Sequence, residues 1–84
     1  MPYIDPIFRN QYDEILNQMP NIDSKGDLEY CVFKLMKRFM VNREFRYSTL
    51  HEVVYATQHC ADEYRRRYLD KREDEAIESN GDVE

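Results

Sequence analysis

Three stretches of the chain carry apolar residues at spacings of three and four, the pattern of helices with one buried face. The apolar residues of the first stretch are Phe8, Tyr12, Ile15, Leu16 and Met19. Asp5 is a good N-cap, and Pro6 then falls at the first helical position, where its missing N–H costs nothing. Pro20 predicts the end of this helix.

The second stretch has the most regular apolar stripe in the chain. Its members are Leu28, Cys31, Val32, Leu35, Met36 and Phe39. Ser24 precedes the stripe as a candidate N-cap, and Asp27 follows three residues later as a shortened capping-box partner. The pattern predicts an amphipathic helix between a loop at residues 21–25 and a linker at residues 41–47.

The third stretch is the longest and predicts a helix of at least five turns. Its apolar face consists of Leu50, Val53, Val54, Thr57, Cys60, Ala61, Tyr64 and Tyr68. Ser48 or Thr49 is the expected cap. The apolar period ends beyond Leu69, but residues 70–78 are rich in helix formers, so we expect the helix to run on into solvent. Asn80-Gly81 is a stop signal, and residues 82–84 are expected to fray.

These elements predict an all-α fold with a long third helix and an acidic C-terminal tail. The arrangement is a small three-helix bundle or an open helical hairpin plus one helix. Phe45 and Tyr47 are expected to anchor the linker between helices two and three. Residues 1–69 form the expected helical core domain, and residues 70–84 form an acidic C-terminal extension. Because helix three is longer than the other two can cover, a homodimer through helix three is one expected way to cover it.

Composition and charge refine this prediction. With 84 residues the chain is one domain at most, and two Gly and three Pro are few for an all-β chain with many tight turns. Residues 70–84 account for the whole net charge of −5. Two basic groups are candidates for binding a partner or nucleic acid. Their members are Lys34, Lys37, Arg38, Arg43 and Arg46 in the first, and Arg65, Arg66 and Arg67 in the second.

The chain carries no pattern of export or membrane insertion. No basic region followed by an apolar run opens it, and no stretch approaches the roughly 20 apolar residues that a bilayer span needs. Cys31 and Cys60 both fall on apolar faces, which predicts two reduced, buried thiols rather than a disulfide bond. We therefore expect a cytoplasmic protein with no membrane partner.

Catalytic and metal-binding patterns are weak. His51-Glu52 resembles the start of a zinc-protease HExxH helix, but Tyr55 stands where the second histidine belongs. Glu52, His59 and Glu63 share a helical face, and the last two have a spacing that suits a shared divalent cation. That face lies opposite the apolar stripe, which favours a solvated surface. We therefore expect no enzyme activity, no metal and no cofactor.

Several short motifs resemble a small family of uncharacterised proteins found in phages and prokaryotes. They are Met1-Pro2-Tyr3-Ile4, Gly26-Asp27-Leu28-x-Tyr30, Tyr64-Arg65-Arg66, Asp70-Lys71 and Asn80-Gly81-Asp82-Val83. Members of that family end in an aromatic residue after the last motif, whereas this chain ends in Glu84. The resemblance implies an intracellular accessory protein of the phage type, in the host cytoplasm if viral, and carries no activity with it.

Together these patterns predict a non-enzymatic protein-interaction module, a phage-type accessory protein that binds a host or viral protein. The alternative is nucleic-acid or nucleotide binding through the basic end of helix two and the following loop. A complete helical pattern without a catalytic constellation favours the first hypothesis.

Overall fold

A computed structural model describes residues 2–84, and every regular element in that range is helical. A 3-10 turn at Pro6–Phe8 leads into α1 at Asn10–Asn17. Helix α2 spans Lys25–Phe39 and α3 spans Tyr47–Tyr64. A π-helical segment at Arg65–Leu69 then joins α3 to α4 at Asp70–Asn80. The predicted all-α class with a long third helix is confirmed.

The N-terminal start signal works as predicted, but the first α-helix is shorter than its apolar stripe. The backbone N–H of Ile7 donates to the Asp5 carboxylate at 3.1 Å. The next backbone bonds, from Phe8 to Asp5 and from Arg9 to Pro6, span three residues and form a 3-10 turn. The α-helix proper therefore begins only at Asn10 and ends at Asn17, before Pro20.

Ser24 caps α2 as the sequence predicted. Its hydroxyl oxygen accepts a hydrogen bond from the backbone N–H of Asp27 at 3.0 Å, which satisfies one of the free donors of the first turn.

Replacing Ser24 with Ala should lower the free energy of unfolding by about 1 kcal/mol, because the Asp27 N–H loses its partner. Thermal unfolding followed by circular dichroism measures this loss. Ser48→Ala is the matched control, since the Ser48 hydroxyl makes no hydrogen bond to any residue from 2 to 84. Equal destabilisation by both variants would contradict the assigned role of Ser24.

Helix α3 starts earlier than the sequence indicated. Arg46 occupies the N-cap position, so the prediction of Ser48 or Thr49 there was wrong. Thr49 acts from the third helical position instead. Its hydroxyl accepts from the Arg46 N–H at 3.2 Å and donates to the Glu44 carbonyl at 2.5 Å. This is the reach-back role that Glu or Gln has in a capping box.

The long C-terminal helix runs without a break from Tyr47 to Asn80. Within it the Asp70 N–H donates to the carbonyl of Arg65, five residues back, which defines the π turn. The predicted stop at Asn80-Gly81 is confirmed. Gly81 has φ +88°, a conformation that favours glycine, and its N–H closes the helix on the Ile77 carbonyl at 2.8 Å.

The helices form an open arrangement with very little core. Helices α2 and α3 pack as a hairpin, whereas α1, among the helical elements of residues 2–84, contacts the 3-10 turn that precedes it and no other. Only Met40 and Val53, at 9% and 7% exposure, are buried among the described residues. The radius of gyration is 16.8 Å, against about 12 Å for a compact chain of this length.

Three expectations about burial were wrong. Phe45 and Tyr47 are 80% and 79% exposed, so they do not anchor the linker within the chain. The linker turns at Asn42, which has φ +66°, and no third helix lies beside the hairpin corner to receive the two rings. The open arrangement leaves Cys60 exposed as well, in a cleft that it shares with Phe39 of α2. Cys31 is half-buried, and neither thiol forms a disulfide within the chain.

Candidate functional site

A groove with an almost entirely apolar lining lies at the corner of the hairpin, where α2 ends and α3 begins. Its volume is about 480 Å³. We call it the corner groove. It is lined by Phe33, Met36, Lys37, Met40, Val41, Phe45, Leu50, Val53 and Val54.

The corner groove is built from the two buried residues outward. Met40 and Val53 form its floor, and the rings of Phe33 and Phe45 stand exposed at its rim. Lys37 is the only charged side chain in the lining. Small-molecule sites place several polar groups to orient a ligand, and the corner groove lacks them. Such a surface suits apolar side chains of another protein.

The two bases of the loop are tied down by neighbours. The Arg43 guanidinium lies 3.8 Å from the centre of the Phe39 ring and donates to the Phe39 carbonyl oxygen. Arg46 forms an ion pair with Glu44. These contacts hold both side chains against the hairpin corner and occupy part of their hydrogen-bonding capacity.

The three bases of α2 are freer. Lys34 lies 5.5 Å from the centre of the Tyr30 ring, and Lys37 borders the corner groove. Within residues 2–84, neither of them forms an ion pair, and the same is true of Arg38. The first basic group thus presents three exposed cations on one helix.

The second basic group lies in the π segment, and each of its members has a partner. Arg65 is 4.0 Å from the Asp62 carboxylate, and Arg66 pairs with Glu63 at 2.5 Å. Arg67 donates to the Tyr3 hydroxyl at 3.0 Å. Because Tyr3 belongs to the N-terminal arm, this group positions the arm along the long helix.

The contact between Arg66 and Glu63 changes how both titrate. The hydrogen bond from Arg66 lowers the pKa of Glu63 below its ordinary value near 4.5. The same bond raises the pKa of Arg66, and the Tyr3 hydroxyl raises the pKa of Arg67. For Glu63 the stabilisation is present above the unfolded-state pKa and is lost as pH falls through the lower folded-state value.

Replacing Arg66 with Gln should therefore raise the pKa of Glu63 towards 4.5. A carbon-detected NMR titration of the Glu63 carboxyl group between pH 2 and pH 6 (about the range over which a carboxylate titrates) measures the change. Arg72→Gln, which removes a guanidinium 3.8 Å from Glu75 instead, is the control. An unchanged Glu63 midpoint in Arg66→Gln would contradict this account.

The residues considered for metal binding do not gather into a ligand set. His59 and Glu63 border a shallow cleft with Pro2, Asp62 and Arg66. No group of three or more His, Cys, Asp or Glu side chains in residues 2–84 has the geometry to hold a metal ion. Glu63 is instead held by Arg66.

Sequence reasoning missed two features of this region. The corner groove depends on Phe33 and Phe45, which fall outside the three apolar stripes. The signal that could have indicated the groove was the presence of bulky apolar residues outside the predicted buried faces. The π segment has no local signature that distinguishes its five residues from ordinary helix.

Within residues 2–84, no helix combines the length and apolar character that crossing a membrane requires.

Comparison with known proteins places the chain in one family. A family model described as a domain of unknown function (DUF6899) matches residues 1–83. The chain belongs to the DUF6899 family. Comparisons with curated proteins and with solved structures found no match. The DUF6899 assignment agrees with the expected membership of an uncharacterised family, while the phage origin and the role of Asn80–Val83 stay predictions.

Proposed function

We propose that this DUF6899 chain is a non-enzymatic interaction module that binds a protein partner through the corner groove. The observation that carries the proposal is the exposure of the groove rim. Phe45 is 80% exposed beside a floor formed by Met40 and Val53, the two buried residues within positions 2–84. Exposed aromatic rings around an apolar depression are typical of the centres of protein interfaces.

The location and setting of this function are part of the proposal. A cytoplasmic, phage-type accessory role is supported by the sequence resemblance and by the unpaired thiols of Cys31 and Cys60. The basic surface next to the groove adds a charged border to the apolar centre, which is the usual layout of an interface.

Nucleic-acid binding is the second candidate, supported by Lys34, Lys37 and Arg38, which form no ion pair within residues 2–84. It has weaker support than protein binding. The other five bases already contact groups of the same chain, and the net charge of −5 opposes approach to phosphates.

Affinity capture from a lysate of the source cells tests the proposed function, with the tagged chain as bait and nuclease treatment before elution. The groove variant is Phe45→Asp, and the matched control is Tyr55→Asp. Both positions are exposed, so neither change disturbs the two buried residues. We expect proteins retained by the wild type and by the control to be lost from the groove variant.

Identical sets of retained proteins for all three baits would contradict a role for the corner groove. Material that is lost on nuclease treatment in every bait would instead favour the nucleic-acid candidate. Co-expression of a second copy of the chain with a different tag lets the same experiment detect self-association, because the second copy is then recognised among the retained proteins.

A further inference from the structure

The isolated chain exposes far more surface than a folded chain of its mass. Its accessible area is 8090 Å², whereas a compact protein of 10.3 kDa exposes about 5,400 Å². A standard protein interface removes about 800 Å² from each partner. The excess of about 2,700 Å² per chain is therefore several times what a stable dimer needs to bury.

Part of this exposed surface is an apolar face of the long helix. Leu50, Val54, Ala61 and Tyr64 recur there at spacings of four, seven and three, and all four are exposed. Tyr64 alone is 68% exposed. Leu50 and Val54 also line the corner groove beside α2, and the apolar face continues beyond the groove along the long helix. We call these four residues the outer stripe.

The π segment extends the outer stripe past the point where the α-helical period ends. A π turn contains one more residue than an α turn, so the residue that follows Tyr64 on the same face is Leu69, five positions later. Two further α turns lead to Ala76. With Leu69 and Ala76 the outer stripe spans nearly the whole helix from Tyr47 to Asn80.

Charge is distributed along the molecule in a way that selects one orientation for a second copy. The hairpin corner, residues 34–46, carries +4, and residues 70–84 carry −5. In one chain these regions lie near opposite ends of a helix of about 50 Å, far beyond the roughly 8 Å screening length at physiological salt. Antiparallel pairing of two such helices places the acidic end of each beside the basic corner of the other.

We propose, building on the proposed function, that the partner is a second copy of this chain, paired antiparallel along the outer stripe with a two-fold axis near Tyr64. The interface is isologous, so the contact between Leu50 of one copy and Ala76 of the other occurs twice, once on each side of the two-fold axis. The α4 segment of each copy covers the open side of the corner groove of the other. This arrangement gives α4 a surface to pack against, which the described part of its own chain does not provide.

Cysteine cross-linking of the full chain tests both the pairing and its direction. In a Cys31→Ser, Cys60→Ser background, Leu50→Cys and Ala76→Cys are prepared separately and mixed under mild oxidation. We expect a cross-linked dimer from the mixture and little from either variant alone, since an antiparallel pair brings only unlike positions together. Tyr64→Cys, near the axis, should cross-link with itself. Self-cross-linking of Leu50→Cys, with no cross-link between Leu50→Cys and Ala76→Cys in the mixture, would overturn the antiparallel arrangement.

Light scattering at micromolar concentration gives the oligomeric state independently. The unmodified chain should show twice the 10.3 kDa chain mass. Ala61→Arg, which places a long cation at the centre of the stripe, should raise the dissociation constant about tenfold or more, or about 1.4 kcal/mol. Glu52→Arg on the opposite face should leave it unchanged. A monomer at every concentration would overturn the dimer. If the corner groove still captured another protein, the proposed function would stand without it.

Paired charge reversals test the orientation in solution. Glu75→Lys with Glu78→Lys should weaken the dimer, and adding Arg43→Glu with Arg46→Glu to the same chain should restore most of the affinity. A failure of the second pair to restore any affinity would contradict the proposed contact between the acidic end and the basic corner.

Discussion

Val53→Asp should abolish the helical hairpin. Val53 is 7% exposed and, with Met40, is one of the two buried residues among those described. A carboxylate at this position loses its hydration, which costs more than about 3 kcal/mol. A core of two residues has no alternative contacts to compensate for such a loss.

Amide hydrogen exchange followed by NMR measures this effect helix by helix. We expect Val53→Asp to remove protection in α2 and the first half of α3. Tyr55→Asp introduces the same residue at an exposed position two residues away and should keep the protection. Val53→Thr retains the shape of the side chain and should lose about 1–2 kcal/mol while remaining folded. Full protection in Val53→Asp would show that the hairpin does not depend on this contact.

The parts of the fold that the sequence predicted are those with a local cause. Ser24 and Asp5 cap their elements through hydrogen bonds that span only two or three residues. The stop at Gly81 needs only the conformational freedom of one glycine. In such cases the residues that make the structure are neighbours in the chain, so a short pattern contains the full information.

The parts of the fold that could not be predicted depend on which other element packs against a residue. The stripe pattern marks Cys60 as a core residue, but Cys60 is exposed in the structure, and the pattern carries no information about coverage. Phe45 has the size of an anchor, yet the open arrangement leaves it exposed. The eight candidate bases show the same limit. Charge density marked all of them, whereas the contacts of Arg43, Arg66 and Arg67 became visible only in three dimensions.

The excess surface makes the stability of the folded chain depend on protein concentration. If the apolar faces become buried only between two copies, folding and association are one process. Each tenfold increase in protein concentration then adds about 1.4 kcal/mol to the free energy of unfolding of the dimer. For a unit of twice 84 residues this corresponds to a rise in the melting temperature of about 4 °C for each tenfold step.

The dependence of the melting temperature on protein concentration is the most direct test of the claim that this chain completes its core with a second copy. Thermal unfolding of the unmodified chain should be followed by circular dichroism over a hundredfold range of concentration, with Ala61→Arg as the variant in which association is weakened. We expect the melting temperature of the unmodified chain to rise by about 8 °C across that range, and that of the variant to be lower throughout. A melting temperature that stays constant over the whole range for the unmodified chain would contradict the claim.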